Sequence, residues 1–281
     1  MRQRPFSKLR RSQPKAAPTS TLPTITLAPA FALARVLNRL GVASRSQCER
    51  LVRSGAVSLR GQILIDPEQR VAQSDWSQLK VLDEPLAAKP SMRVAMLNKP
   101  RGLIVSACDE RGRRTIYDAT APALPRALAP AGRLDQASEG LLLLCNDPAF
   151  AARITAPGRA IAKRYHLQVH PIPTPEQLAA MRSGVLEAGE LLAVSTVQVL
   201  RQGERNAWLE CELHEGRNRQ LRRICQALGL AVLRLLRVAI GPLTLGTLAK
   251  GAWRDLTSDE LAALTRALDL ALDSALDDRH A

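Results

Sequence analysis

The sequence predicts an α+β protein of two units. A small N-terminal unit has two helices feeding a hairpin, and a larger one has a mostly antiparallel or mixed sheet flanked by helices. Three observations predict this. Apolar positions switch from helical spacing to alternation soon after Phe31, a Pro-bounded stretch interrupts the chain from Pro85 to Pro90, and beyond it strand runs and helix caps interleave without a strict β-α-β repeat. The 281 residues fit two domains, and 46% hydrophobic against 23% charged residues is the balance of a chain with a sizeable core.

Residues 1–30 carry Arg2, Arg4, Lys8, Arg10, Arg11 and Lys15, no acid, and several Pro, Ser and Thr, and are read as a disordered basic arm, with an organelle transit peptide as the alternative. Residues 31–84 form the first unit. Leu33, Val36, Leu37 and Leu40 lie at helical spacing from Phe31 on, and Gly41 closes that helix. Ser44 caps a second helix, Gln47 completes the capping box, and the helix runs to about Arg53, where Gly55 stops it. Ala56–Leu59 and Gln62–Ile65, joined by Arg60-Gly61, read as a hairpin. Arg35, Arg39, Arg45, Arg50 and Arg53 make one basic face across the two helices.

Residues 85–92 are the linker and residues 93–258 the second domain. Val94–Lys99 is an apolar strand ended by Pro100, and further strands are expected at 103–106, 141–145, 165–169, 194–200, 207–213 and 235–240. Asp147-Pro148 starts a helix to about Ile154, and Thr174-Pro175-Glu176-Gln177 starts one that Gly184 ends. A third helix spans Asn218 to Leu228 and is closed by Gly229. Residues 259–281 form an acidic tail or helix.

Forty Lys and Arg against 26 Asp and Glu give a formal charge of +14, which points to a polyanionic partner, nucleic acid first. Seven acids against two arginines after residue 254 make the tail acidic, so the binding surface lies upstream. Five widely spaced cysteines without a C-x-x-C pair argue against a disulfide framework or zinc site and fit a reducing cytoplasm. No run of about 18 apolar residues suggests a membrane span. The four histidines, His280 in the tail among them, show no ligand spacing, and no metal is expected.

Two stretches carry candidate chemistry. In Gly132-Arg133-Leu134-Asp135-Gln136-Ala137-Ser138-Glu139-Gly140, Asp135 sits in a basic, small-residue loop just before four consecutive leucines. Three readings stay open on these residues alone: a catalytic carboxylate, the cap of an Asx-turn, or one of a glycosidase pair with Glu139. In His214–Ile224, Leu221, Ile224, Cys225 and Leu228 form an apolar stripe, and Arg219, Arg222 and Arg223 lie together near the helix start. They are either a solvated face or a clamp for phosphate or carboxylate.

The segment "ARVLNRLGVASRSQCERLVRSGAVSLRGQILID" resembles the S4 RNA-binding module. "MLNKPRGLIVS", "AGRLDQASEGLLLLCND", "KRYHLQV" and "EGRNRQLRRICQALGLAVLRLLRVAIGPLTL", in that order, resemble the RNA pseudouridine synthases that modify uridines of small- and large-subunit rRNA and carry an N-terminal S4 module. The resemblance spans about Ala34 to Leu256. It implies Asp135 as catalytic carboxylate, Tyr165 packed on the flipped base and implicated in proton removal at C5, Arg222 paired with Asp135, Leu235 lining the pocket and Arg133 near the RNA; the clamp reading adds Arg219 and Arg223 as substrate-binding. It implies no cofactor, and a monomer acting on ribosomal RNA or a pre-ribosomal particle, with large-subunit 23S rRNA favoured by "GRLDQASEGLL" and "EGRNRQ". Whether Asp135 attacks C1′ or C6, or takes a ribose proton, stays open. A noncatalytic S4-type assembly factor and an N-glycosidic hydrolase are the competing readings.

Overall fold

A computed structural model describes residues 30–43, 45–86, 91–120, 122–156 and 161–277, the last six of these in backbone only. The basic arm, the Ser44 cap, the centre of the linker and the end of the acidic tail with His280 lie outside the described residues.

The first unit opens with β1 (Ala30–Ala32), then α1 (Leu33–Arg39) and α2 (Arg45–Arg53). Phe31 belongs to a strand, paired with Val71, and the helix starts at Leu33, the first residue of the apolar spacing. Leu33, Val36 and Leu37 face Cys48 and Val52 in a closed core, and Gly41 and Gly55 end the helices at positive φ (81° and 75°). β2 (Val57–Leu59) and β3 (Gln62–Leu64) are the expected hairpin. Its turn residues Arg60 and Gly61 both have positive φ (52° and 81°), the twist that fits two-residue hairpins. β4 (Arg70–Ala72) pairs with β1; β5 (Leu79–Val81) and β6 (Glu84–Pro85) extend the hairpin sheet, so Pro85 ends this unit and does not begin the linker.

The second unit is built on β7 (Val94–Lys99), β8 (Ala129–Pro130), β9 (Glu139–Cys145) and, after α3 (Pro148–Thr155), β10 (Lys163–His170). α4 (Pro175–Ser183) leads to the hairpin β11 (Val185–Glu187) and β12 (Glu190–Leu192), followed by β13 (Thr196–Gln202) and β14 (Ala207–Leu213). α5 (Gln220–Ala227), β15 (Ala231–Ile240), β16 (Leu243–Thr244), β17 (Trp253–Asp255) and α6 (Ser258–Asp277) complete it. The main sheet runs β13-β14-β10-β15-β9-β7-β17, with β16 on β15 and β8 on β9. Every pair is antiparallel except β15 with β9, which makes the sheet mixed.

Local chemistry explains the helix starts. The Asp147 side chain accepts from the Ala149 and Phe150 amides, and Thr174 and Gln177 form a reciprocal capping box. Two elements differ from expectation. Residues 103–106 are not a strand; after the Arg101-Gly102 turn only Ile104 pairs, in a single bridge to Thr115. α5 begins at Gln220, since Arg219 takes the left-handed conformation (φ 51°) and breaks the helical path from Asn218.

β9 is buried at all seven positions, its leucines feeding one core on each face of the sheet. Its parallel neighbour approaches so closely that only glycine fits at 140: a Cβ there would sit 2.3 Å from the Arg237 carbonyl oxygen, at φ 99°. Gly140→Ala is expected to cost about 2–4 kcal/mol in urea unfolding. An unchanged midpoint would mean that the β9–β15 junction yields.

Candidate active site

The site forms where β9, β10 and β15 lie side by side. Lys163 and Tyr165, two apart on β10, share a face; Tyr165 lies opposite Arg237 of β15, and Leu167 opposite Leu235. The loop before β9 and the turn before α5 close the sides. They enclose a cavity of about 640 Å³ whose lining includes Arg133, Asp135, Tyr165, Arg219, Leu235 and Arg237. Five residues singled out from the sequence, Arg133, Asp135, Tyr165, Arg219 and Leu235, thus share one cavity although a hundred residues separate the outermost two.

The Asp135 loop is held through its backbone. Four consecutive carbonyls accept: Asp135 from Lys99 Nζ (3.2 Å) and the Ser138 amide (3.0 Å), Gln136 from the Gly102 amide (2.7 Å), Ala137 from Arg222 Nη2 (3.1 Å), and Ser138 from Lys99 Nζ (2.8 Å). Lys99 ends β7 fully buried, and its third donor meets the Pro100 carbonyl at 3.1 Å. One ammonium thereby fills three carbonyls and fixes where Asp135 stands. No backbone amide among the described residues donates to the Asp135 carboxylate, so it is not an Asx-turn cap. It stays one-third exposed, with Arg219 Nη1 at 3.7 Å from Oδ2.

Three expectations are corrected here. Within ion-pair reach of the Asp135 carboxylate stands Arg219; Arg222, one turn into α5, secures the Ala137 carbonyl and feels the Asp135 charge without closing an ion pair with it, and its buried Nε has no partner among the described residues. Arg223 points away from the cavity, clasped by the Glu187 and Glu190 carboxylates of the β11–β12 hairpin and by the Glu187 carbonyl at 3.1 Å. Glu139 is no partner for Asp135. It is 2% exposed and takes two bonds from Arg234 (3.1 and 3.0 Å) and one from Lys250 (2.6 Å). Burial pushes its carboxyl up, but these contacts outweigh that and hold it below the usual range.

Tyr165 is 9% exposed on the cavity wall and Leu235 is buried beside it, two surfaces suited to the faces of a flat ring. Lys99 and Arg237 were not singled out from the sequence. A lysine ending, or an arginine inside, a run of mostly apolar strand residues is the signal that marks them.

On the first unit Arg35, Arg39, Arg45, Arg50 and Arg53 are all exposed. Arg39 stacks 5.7 Å from both the Phe31 and Trp76 ring centroids, and Arg45 pairs with Glu49 and Glu68. Arg35, Arg50 and Arg53 have no acidic partner among the described residues. Among the described residues there is no His, Cys, Asp and Glu cluster suited to a metal and no helix long and apolar enough to cross a membrane.

Burial pulls the Lys99 ammonium down to about 8, against the fields of Asp135 and Glu139. Its folded value is thus below the unfolded one, so between about pH 8 and 10.5 the unfolded chain holds more protons and folding becomes more favourable as pH rises. Replacing Lys99 with Met removes this contribution: wild-type stability should gain about 1–3 kcal/mol on the variant over that window. Parallel stability curves for the two proteins would contradict it.

Known sequences and structures resemble the chain over most of its length. The family described as RNA pseudouridylate synthase matches residues 93–227, and the S4 domain matches residues 33–77. Ribosomal large subunit pseudouridine synthase B of Bacillus subtilis is 34% identical over 243 residues, spanning 84% of this chain and 96% of that protein. The Pseudomonas aeruginosa protein of the same name is 33% identical over 85% of this chain and 62% of its own length. A crystal structure of a pseudouridylate synthase superposes with a TM-score of 0.58 at 30% identity, covering 83% of this chain and 99% of that one. An S4 module joined to a sheet that carries Asp135, Tyr165 and Leu235 in one cavity, matched at this identity over nearly the whole of a relative's length, places the chain in the RNA pseudouridine synthase family, whose members are isomerases.

Proposed function

We propose that this protein isomerises a uridine of large-subunit 23S rRNA to pseudouridine, with Asp135 as nucleophile, acting as a monomer on the RNA or a pre-ribosomal particle in the cytoplasm. The observation that carries the reading is the accessible Asp135 carboxylate, its loop fixed through backbone carbonyls, in a cavity with apolar ring-sized walls. The names of the B. subtilis and P. aeruginosa relatives support the large-subunit substrate.

The reaction breaks C1′–N1 and forms C1′–C5; the C5 proton leaves and N1 gains one, so nothing is added or lost overall. Asp135 attacks an electrophilic carbon of the target nucleotide, freeing the base to turn. Tyr165 and Leu235 hold the ring while it is detached, and Arg219 orients the carboxylate. The uridine must leave its stack, at a cost of a few kcal/mol that contacts with Tyr165 and phosphate contacts from arginines offset. Arg133 is exposed at the cavity and suited to the RNA backbone. Arg35, Arg50 and Arg53, and with them Arg39 and Arg45, give the S4 module its docking charge.

Asp135→Asn should lower pseudouridine formation to below about one percent of wild type, with RNA affinity unchanged within about twofold or tighter, because one negative charge is removed. Residual turnover above about one percent would contradict the nucleophile role. Replacing Arg35, Arg50 and Arg53 with Ala together should weaken rRNA binding and reduce the slope of log affinity on log salt by about 2–3, leaving turnover at saturating RNA intact. An unchanged slope would place the docking charge elsewhere.

A further inference from the structure

Two cations on the inner wall of the cavity are not accounted for by holding the fold. Arg237 is 5% exposed; its Nε donates to the Leu141 carbonyl at 2.7 Å, while its buried Nη2 has no partner among the described residues. Lys163 donates to the Ile161 carbonyl at 3.0 Å. Burial, with Arg237 nearby, pulls its ammonium down to about 8. Neither cation has an acid within ion-pair reach among the described residues: of the two acids lining the cavity, Asp135 has Arg219 at 3.7 Å, and Glu215 bonds to Arg217 (2.9 Å) and Gln220 (2.6 Å). A buried cation such as Arg237, and a half-buried one such as Lys163 beside it, are costly without matching charge, and a ligand that accepts from them offsets that cost.

Their placement identifies that ligand. Arg237 lies directly across from Tyr165, and Lys163 is two residues from it on the same face. Leu213, Leu235 and Ile240 line the cavity around them. A flat ring resting on these apolar surfaces turns its edge to the two side chains, while Arg133, Arg217 and Arg219 elsewhere on the lining suit its phosphate. Lysine and arginine only donate hydrogen bonds. Uracil offers two carbonyl oxygens at its edge; cytosine replaces one with an amine, which would set donor against donor.

We propose that Lys163 and Arg237 are the base-selecting residues of the cavity, donating to the carbonyl oxygens of uracil and excluding cytosine. This rests on the reading that a uridine enters the cavity, and it adds the discrimination against cytidine.

Equilibrium dialysis of the full chain with uridine 5′-monophosphate, cytidine 5′-monophosphate and inorganic phosphate tests it. The wild type should hold the uridine nucleotide at least about tenfold more tightly than the cytidine one, as a polar site does when a wrong partner leaves its donors unmatched. In Lys163→Met the ratio should fall to about twofold or less, and Lys163→Arg, which keeps the donors, should retain most of it. Lys163→Met removes a desolvated charge and should unfold at no lower temperature than wild type; if it does not fold, the same fall in ratio is expected in Arg237→Lys, which loses the guanidinium fork. Equal binding of the two nucleotides by wild type, or an unchanged ratio in the folded variant, overturns the proposal. So does inorganic phosphate competing for the site as tightly as uridine monophosphate itself does. Uracil preference without pseudouridine formation on any rRNA would sink the proposed reaction while leaving this site standing.

Discussion

The ammonium of Lys99 is the constraint on which the site depends. β7 and β9 are neighbours, with Lys99 in register with Gly140, so the end of one strand reaches under the loop that enters the next. From there a single group fills the carbonyls of Pro100, Asp135 and Ser138. The Gly102 amide takes Gln136 and Arg222 takes Ala137, so the loop has no unsatisfied carbonyl from 135 to 138 and little freedom to move. A nucleophile works only if its position is set before the substrate arrives, and here that position is inherited from the sheet. The desolvation of a buried lysine is the stability cost of that rigidity, partly offset by its three hydrogen bonds.

The same logic separates structural from functional charge. Glu139, four residues from Asp135, is consumed by Arg234 and Lys250; it anchors the buried start of β9. Arg223, next to Arg222, is consumed by two glutamates of a hairpin more than thirty residues earlier. Asp135, Arg133, Lys163 and Arg237 face the cavity instead, and the excess of cations there suits a polyanionic substrate carrying a carbonyl-rich base. Ion pairs that close on themselves build the fold, and those left open meet RNA.

Much of this was legible in the sequence because the signals were local. Asp147 and Thr174 announced their helices through caps, Arg60-Gly61 announced its hairpin, and the leucines of β9 announced a strand buried on both faces. Asp135, Tyr165 and Leu235 were found through motifs, and they do converge on one cavity. Partner identity was not legible. The exchange of Arg222 for Arg219 beside Asp135 turns on a single left-handed residue, Arg219, that shifts the start of α5. The loss of Arg223 to Glu187 and Glu190 depends on a hairpin whose placement has no local signature next to the arginine. Residues 103–106 have strand composition but pair only in a single bridge at Ile104, and pairing is a property of the assembled sheet.

The central claim is that Asp135 drives an isomerisation that detaches uracil and rejoins it through C5. Tritium release from unmodified 23S rRNA labelled with 5-³H-uridine, wild type beside Asp135→Ala, tests this most directly, with free uracil measured in the same samples. The account predicts tritium in water from the wild type alone and no free uracil. Free uracil without tritium release would make the chain an N-glycosidic hydrolase, and salt-sensitive binding with neither product would make it an RNA-binding factor; either result contradicts the account.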